Sequence, residues 1–316
     1  MSASRTAGGV DLLAVCGPTA SGKTRLGVAL ARRFGGEVLS VDSRQVYRGL
    51  DVGTGKDQDE YDTPDGRVPC HLIDLAEPGE VYTLWRFLAD FAVACRTVQA
   101  RGRLPVAVGG TGLYLEAVLK GYRIPDVKPD EPVRQALMRV PAEELVARLQ
   151  ALDPELHGAT DLSSRKRIVR SLEVALHAAG GPLRRGPGDP AASQPLVLGV
   201  RWPRAELYER IARRLDARLE HGLVEEVEGL LLEGLPAARL DALGMEYRHV
   251  GRFVRGQVSR DEMRRALLAD IRHLAKRQET WFRGMERRGT VIHWVERDDV
   301  AQAMRIVEAE AGATLR

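Results

Sequence analysis

Leu12-Leu13-Ala14-Val15-Cys16-Gly17-Pro18-Thr19-Ala20-Ser21-Gly22-Lys23-Thr24 is the stretch that decides the fold. Its first five residues are apolar without alternation, as a strand buried on both faces of a parallel sheet must be. The eight that follow fit the phosphate-binding loop pattern GxxxxGK[ST]. In such a loop the glycines let the backbone wind so that its N–H groups aim at phosphate oxygens. The helix that opens near Lys23 adds the positive end of its dipole, and Lys23 adds a full charge. Gly17, Pro18, Thr19, Ala20, Ser21, Gly22, Lys23 and Thr24 are therefore the candidate ligands of a polyphosphate or pyrophosphate. Thr24 is the candidate hydroxyl for Mg²⁺. A chance match in a glycine-rich loop is the alternative, and a strand before and helix after speak against it.

Outward from that loop, short runs rich in Val, Leu and Ile recur with helical stretches between them, the pattern of βα units on a parallel sheet. Strands are expected at Leu12–Cys16, Glu37–Val41, His71–Leu75, Leu104–Val108, Leu196–Val200 and Val291–Trp294, with helices at Lys23–Phe34 and Leu84–Ala100. Almost ninety residues separate the fourth strand from the fifth, too many for a simple crossover. Their pattern is helical over Pro132–Met138, Ala142–Leu152 and Ser164–Ala179, and then gives way to Gly180–Pro195, whose Gly, Pro, Ser and Ala predict a flexible loop. After the fifth strand, Ala205–Leu232 reads as one long amphipathic helix, with another over Asp261–Arg288. The expected class is α/β: a P-loop nucleoside-triphosphatase-like parallel-sheet core with a mainly helical insertion domain. The core is assigned to 11–125 and 195–316, the insertion to 126–194, and 1–10 to a disordered tail.

Of the 316 residues, 44% are hydrophobic and 29% charged, enough apolar material to bury a core. No apolar run approaches the roughly 20 residues of a membrane span, and Met1 to Val10 lacks the charged-then-apolar layout of a signal peptide. Cys16, Cys70 and Cys95 are scattered without a CxxC pair, which argues against a zinc site or a disulfide scaffold and points to a reducing cytoplasm. Nothing in the helices demands a partner subunit, so a monomer is expected. The net charge of +3 does not by itself announce nucleic acid. Charge is nevertheless clustered: Arg165, Lys166, Arg167 and Arg170 fall within six residues, and Arg272, Lys276, Arg277, Arg283, Arg287 and Arg288 mark the last long helix. Solvated faces and a nucleic-acid grip both fit these clusters.

Two further motifs end on the carboxyl edge of the sheet, where open α/β sheets bind ligands. Asp42-Ser43-Arg44-Gln45 follows the second strand; Asp42 is placed to act as general base or metal ligand, or merely to cap a helix. Gly109-Gly110-Thr111-Gly112 follows the fourth strand, where glycines allow close backbone approach and Thr111 offers a hydroxyl. Asp57-Gln58-Asp59-Glu60-Tyr61-Asp62 looks like a metal-binding acidic run, but its loop setting suggests a solvated segment. His71-Leu72-Ile73-Asp74 has the form of a Walker B strand ending in a magnesium aspartate, though its apolar run is short.

Together these motifs resemble one family, the tRNA dimethylallyltransferases. Gly17–Thr24, Ser40–Thr54, Cys70–Asp74 and Gly109–Tyr114 match its GPTASGKT, SVDSxQVYRGxDIGT, HHLID and GGTGLY segments in order. Arg167–Glu173, Arg210–Asp216, Ala242–Tyr247 and Ala275–Arg283 resemble its RIxRALE, RIxxRxD, AxGYxE and AKRQxTWFR segments. The likeness runs from about Leu12 to Trp294. Gly55-Lys56-Asp57 departs from the usual Ala-Lys-Pro, Cys70 replaces a His, and Ser171 an Ala. The resemblance implies transfer of the dimethylallyl group of dimethylallyl diphosphate to N6 of the adenosine 3′ to the anticodon in tRNA, with Mg²⁺ as cofactor. It implies that the P-loop holds the pyrophosphate and that Lys23 and Arg214 stabilise the leaving charge. By the same likeness Asp42 takes the proton from the amine and Thr111 holds the base. Asp42, Ser43, Arg44 and Gln45 receive an adenosine that must leave its stack to react. Arg134, Arg165, Lys166, Arg167 and Arg170 are then the expected grip on the anticodon stem-loop. Three alternatives share parts of the pattern: an ATP-dependent small-molecule or nucleoside kinase, a prenyltransferase of free adenine nucleotides, and an RNA-binding protein with a non-catalytic P-loop.

Overall fold

A computed structural model describes residues 9–127, 130–179 and 191–313. In chain order the elements begin with β1 (Leu12–Cys16), α1 (Lys23–Phe34), β2 (Gly36–Ser40) and a 3₁₀ turn (Gln58–Tyr61). A small hairpin, β3 (Asp62–Thr63) and β4 (Gly66–Arg67), leads to β5 (Cys70–His71), α2 (Leu84–Ala100), β6 (Leu104–Gly109) and α3 (Gly112–Lys120). Then come α4 (Glu131–Met138), α5 (Ala142–Leu152), α6 (Pro154–Ala159), α7 (Arg165–Ala179) and β7 (Pro195–Arg201). The chain continues with α8 (Arg204–Glu220), α9 (Leu223–Leu232), α10 (Ala237–Leu243), α11 (Met245–Val254), α12 (Arg260–Arg287), β8 (His293–Glu296) and α13 (Val300–Ala313).

Six strands pair in parallel in the order β5-β2-β6-β1-β7-β8. β1 lies between β6 and β7, and all five of its residues are buried, which is why its sequence can be apolar without a break. Register then sets the site. Cys16 pairs with Gly109 and Ser40 with Val108. The chain therefore leaves β1, β2 and β6 at nearly one level, and the P-loop, the Asp42 turn and the Gly110 turn emerge side by side. The approach is close: a Cβ on Gly109 would lie 2.0 Å from the carbonyl oxygen of Val41. Away from that edge the sheet carries bulk. Leu13, Val15, Val106, Val108, Leu198 and Val200 pack with residues of α1 and α13 into the main core.

Several sequence expectations shift. The third strand, expected over His71–Leu75, is only Cys70–His71, because Leu72 (φ 66°) and Asp74 (φ 55°) adopt left-handed backbone that ends extended pairing. The last strand moves from Val291–Trp294 to His293–Glu296. Ala205–Leu232 is two helices, broken where Gly222 takes φ 101°. The helices α10 and α11 lie in a stretch read only as a turn. Val10, placed in the tail, is buried at the edge of the core. The rest of that tail, residues 1–8, and most of the Gly180–Pro195 loop lie outside the described residues.

The chain divides into one compact unit of Met1–Gly121 with Asp189–Arg316 and a second of Tyr122–Gly188, against the expected insertion of 126–194. The second unit is a small helical bundle. Leu137, Leu145, Leu149, Ile168, Val169, Leu172 and Ala175 form its core. Asp130 and Asp153 cap α4 and α6 by accepting from the N–H groups of Val133 and Leu156.

Candidate active site

The P-loop bends through Ala20 (φ 62°) and Gly22 (φ 85°) into α1. Gly22 has no room for a side chain, since a Cβ there would lie 2.2 Å from Asp298 Oδ2. Residues of α8 and the chain before it brace the loop from outside: Trp202 Nε1 donates to the Ser21 carbonyl at 2.9 Å and Arg210 Nε to the Ala20 carbonyl at 2.8 Å. From the other side Gln278 of α12 ties two loops together. Its Oε1 accepts from the Thr19 N–H at 2.8 Å, and its Nε2 donates to the Gly110 carbonyl at 2.9 Å. Three residues on, Trp281 packs over Gly112, where a Cβ would meet the indole at 2.3 Å.

These loops enclose a cavity of about 470 Å³. Thr19, Lys23, Thr24, Asp42, Ser43, Arg44, Gln45 and Thr111 all line it, whereas the P-loop candidates Gly17, Pro18, Ala20, Ser21 and Gly22 are not among its lining residues. Arg214 and Arg218 of α8 and Glu246 of α11 close one side. Leu113, Leu243, Met245, Leu274 and Trp281 give the wall an apolar portion. A ligand with a charged diphosphate and a short apolar tail matches that division. A second cavity of about 360 Å³ shares Lys23, Thr24 and Arg214 and adds Asp57, Glu60, Arg210 and Arg213.

Local hydrogen bonds pre-set the Asp42 turn. Asp42 Oδ1 accepts from the Arg44 N–H at 2.8 Å, and Thr111 Oγ1 accepts from the Ser43 N–H at 3.3 Å. Asp42 thus shapes the turn with one oxygen while facing the cavity. The helix-capping reading falls away, because residues 43–46 form a turn and no helix follows directly. Gln45 bridges Ser40 Oγ (2.7 Å) and the Gly55 carbonyl (3.0 Å), fixing the loop that follows. That loop, 51–55, hangs on Glu226 of α9. The carboxylate accepts from the N–H groups of Asp51, Val52 and Gly53 at 2.8, 2.7 and 3.0 Å, and from the Tyr247 hydroxyl at 2.7 Å.

Burial dominates the electrostatics. It lowers Lys23 to about 8, with the positive charge of Arg214 adding to the effect and Asp42 opposing it. Burial and Arg214 likewise lower Arg218 to about 10. Glu60 and Glu246 are raised above the usual carboxylate range, again first by burial. Arg218 Nε, Trp281 Nε1 and Glu60 Oε2 are buried on these walls without a hydrogen-bond partner among the described residues. Polar groups left so are donors and acceptors awaiting a ligand or water.

One sequence reading needs correction. Asp57–Asp62 is not a solvated loop: Tyr61 is buried, and Asp57 forms an ion pair with Arg214 at the second cavity. Asp74, disfavoured as a Walker B aspartate by its short apolar run, is engaged otherwise. It pairs with the buried Lys56, whose ammonium also bonds Asp51 and the Tyr47 carbonyl. Among the described residues no group of three or more His, Cys, Asp or Glu is placed to hold a metal. A magnesium ion would fit here only in the manner magnesium favours, with Thr24 as a protein ligand and phosphate oxygens and water completing the shell.

The basic run on the second unit divides in its roles. Arg134 and Arg170 converge on the buried Glu173 at 2.9 and 3.3 Å, and Arg165 donates to the carbonyls of Met138 and Val140. Arg167 pairs with Asp161, and Lys166 is exposed. Arg277 of α12 lines the main cavity, whereas Arg288, just past the end of that helix, clamps the buried Glu116 with two bonds of 2.6 Å. Sequence reading missed Gln278, Trp281, Arg218 and Glu226 as site residues. A signal existed for the arginines: Arg210, Arg214 and Arg218 recur every four residues beside the core stripe Leu207, Ile211, Leu215 and Leu219.

The comparisons with known proteins agree with one another. A family model described as IPP transferase matches residues 45–285, and one described as isopentenyl transferase matches residues 10–63. The chain is 48% identical over 299 residues to tRNA dimethylallyltransferase 1 of Geotalea daltonii, covering 94% of this chain and 95% of that one. It is 49% identical over 287 residues to tRNA dimethylallyltransferase 2 of Pelobacter propionicus, covering 90% of each. Among solved structures it matches the tRNA isopentenylpyrophosphate transferase of Bacillus halodurans with a TM-score of 0.69, at 33% identity and 96% coverage of both chains. A eukaryotic dimethylallyltransferase solved acting on tRNA shares the fold, with a TM-score of 0.72 at 21% identity, 93% of this chain and 75% of that one being covered.

Proposed function

The chain belongs to the tRNA dimethylallyltransferase family, and from that premise we infer that it transfers a dimethylallyl group from dimethylallyl diphosphate to N6 of the adenosine 3′ to the anticodon in tRNA. One observation carries this reading: the P-loop, Asp42, Thr111 and an apolar wall line a single cavity. A kinase needs the first; a prenyl donor needs the apolar wall as well.

In the proposed reaction the diphosphate lies against the P-loop N–H groups, with Lys23 and Arg214 facing its charge. The amine of the adenine attacks the allylic carbon, a C–N bond forms, the C–O bond breaks, and pyrophosphate leaves with the bonding pair. Negative charge grows on the departing oxygen, and fixed cations stabilise it there. The attacking nitrogen becomes positive and must lose a proton. Asp42 Oδ1 is held by the Arg44 N–H, so Oδ2 is the atom assigned to take it. Thr111 orients the base, and Ser43, Arg44 and Gln45 shape the pocket that receives it once flipped from its stack. Magnesium, held by Thr24 and the diphosphate, would supply further charge neutralisation.

Contacts to the anticodon stem are assigned first to Lys166 and Arg167, which are exposed. Arg134, Arg165 and Arg170 contribute through the N–H groups their internal partners leave free. No described helix is long and apolar enough to cross a membrane. The thiols of Cys16, Cys70 and Cys95 are unpaired, in keeping with action in a reducing cytoplasm, and a monomer is proposed.

The test is a transfer assay with unmodified tRNA, radiolabelled dimethylallyl diphosphate and Mg²⁺, run beside free AMP and beside ATP with a nucleoside. Label in tRNA alone is the expected result. Label in AMP would shift the acceptor to free nucleotides, and ATP turnover without prenyl transfer would overturn the reading in favour of a kinase.

A further inference from the structure

We propose that Asp57 is an internal counterion that competes with the diphosphate for Arg214, weakening the hold on pyrophosphate and so hastening its release. The inference rests on the assignment of the P-loop as a diphosphate site. Its geometry is local. Arg214 projects from α8 into the cavity that also holds Lys23, Thr24, Arg210 and Arg213, a setting rich in positive charge. Into this setting the chain places a carboxylate: Asp57 Oδ2 pairs with Arg214 Nη2. The two side chains are 32% and 30% exposed, so the pair is neither sealed in the core nor a freely solvated surface bridge. A group of that accessibility can exchange one anion for another.

The loop is shaped for this contact. Asp57 holds left-handed backbone at φ 38°, ψ 57°, a region that Asp tolerates better than most residues. Two positions earlier, Gly55 has φ 63°, and a Cβ there would stand 1.6 Å from Arg218 Nη2 and 2.7 Å from Arg214 Nη2. Only glycine lets both guanidinium groups lie against the loop.

The energetic consequence follows from like charges. A diphosphate seated at the P-loop brings negative oxygens toward Arg214. Asp57 must then give up its partner or sit beside the ligand as a second anion, and either outcome opposes binding. Glu60 faces the same cavity and adds to the cost for an anion when ionised. When the pyrophosphate leaves, Asp57 closes again on Arg214, which would otherwise face Lys23, Arg210 and Arg213 without a counterion. The pair thereby trades ground-state affinity for turnover: a product held by Lys23, a helix N-terminus and several arginines dissociates slowly unless something competes with it.

The experiment is titration of inorganic pyrophosphate into the full chain by calorimetry, in the absence of tRNA and donor, for wild type, Asp57→Asn and Asp57→Ser. Both substitutions remove the charge, and two variants guard against one folding poorly. The expected result is tighter binding by both variants, on the order of fivefold, the scale of a half-exposed ion pair. In steady state, pyrophosphate should inhibit the variants at correspondingly lower concentration. A purely structural role for Asp57 would loosen the loop and weaken binding, so the direction of the change discriminates. Pyrophosphate that binds wild type with no gain in either variant overturns the proposal and leaves the P-loop assignment standing. No binding by any of the three proteins overturns that assignment and the proposal together.

Discussion

Lys23 carries the clearest residue-level consequence. Burial and Arg214 hold its ammonium down to about 8 in the free protein, so its charge is lost as pH rises through that value. A bound diphosphate favours the charged form and lifts the value again. Affinity for pyrophosphate should therefore fall above pH 8 in wild type. The ligand's own protonation affects every variant alike, so the Lys23→Arg protein, charged throughout, should lack that added step. Calorimetric titration from neutral to alkaline pH checks it; parallel curves would mean that the charge of Lys23 does not change in this range. Asp42 is tested by turnover. Replacing it with Ala removes a positioned base, and single-turnover transfer should slow by roughly 10² or more while tRNA affinity stays near wild type. A variant transferring at nearly the wild-type rate would take Asp42 out of the chemistry.

At the scale of elements, the site is assembled from helices distant in sequence from the loops they hold. α12 presents Leu274, Arg277, Gln278 and Trp281 to the cavity, positions spaced three and four apart and so on one face. Its Met263, Leu267, Ile271 and Ala275 face the core instead. α8 does likewise, with an arginine stripe beside a leucine-rich one. α9 contributes a single clamp, Glu226, which satisfies three N–H groups of loop 51–53 and the Tyr247 hydroxyl. Glu226→Ala leaves those four donors without their acceptor. The expected loss is about 2–4 kcal/mol, since each orphaned donor costs on the order of 1 kcal/mol or more unless water reaches it. Urea unfolding would report it as a lower midpoint with an unchanged slope. An unaltered midpoint would mean that water replaces the carboxylate at little cost.

For the whole molecule, the net charge of +3 says little about where charge meets a partner, since Lys166 and Arg167 stand exposed side by side. Binding of tRNA should weaken steeply with salt, since each phosphate neutralised by Lys or Arg releases counterions. The slope of log affinity against log salt counts the contacts. Replacing Lys166 and Arg167 with Gln should reduce its magnitude by about 1–2 for this pair. A flat titration in the wild type would rule out the basic clusters as the grip. Arg134 and Arg170 belong to a different experiment, because their bonds to buried Glu173 make their loss a matter of bundle stability as well.

The sequence by itself determined those features whose physics is local. A phosphate loop needs glycines, a lysine and a hydroxyl within eight residues, and a buried parallel strand needs a continuous apolar run. The reading of Leu12–Thr24 therefore holds in strand, loop and helix start. The turns at Asp42 and Gly109 were legible for the same reason, each standing directly after a recognisable strand. Only tertiary structure decided what depends on residues far apart in the chain. Gln278 lies 259 residues from the Thr19 N–H that it accepts from, and Arg214 lies 157 from Asp57. No periodicity or spacing encodes such a meeting. It also turned the acidic run at Asp57–Asp62 from a solvated loop into part of the cavity wall. A carboxylate's role is set by the charge that faces it, and that charge came from a helix placed there by the packing of Leu207, Ile211 and Leu215 into the core.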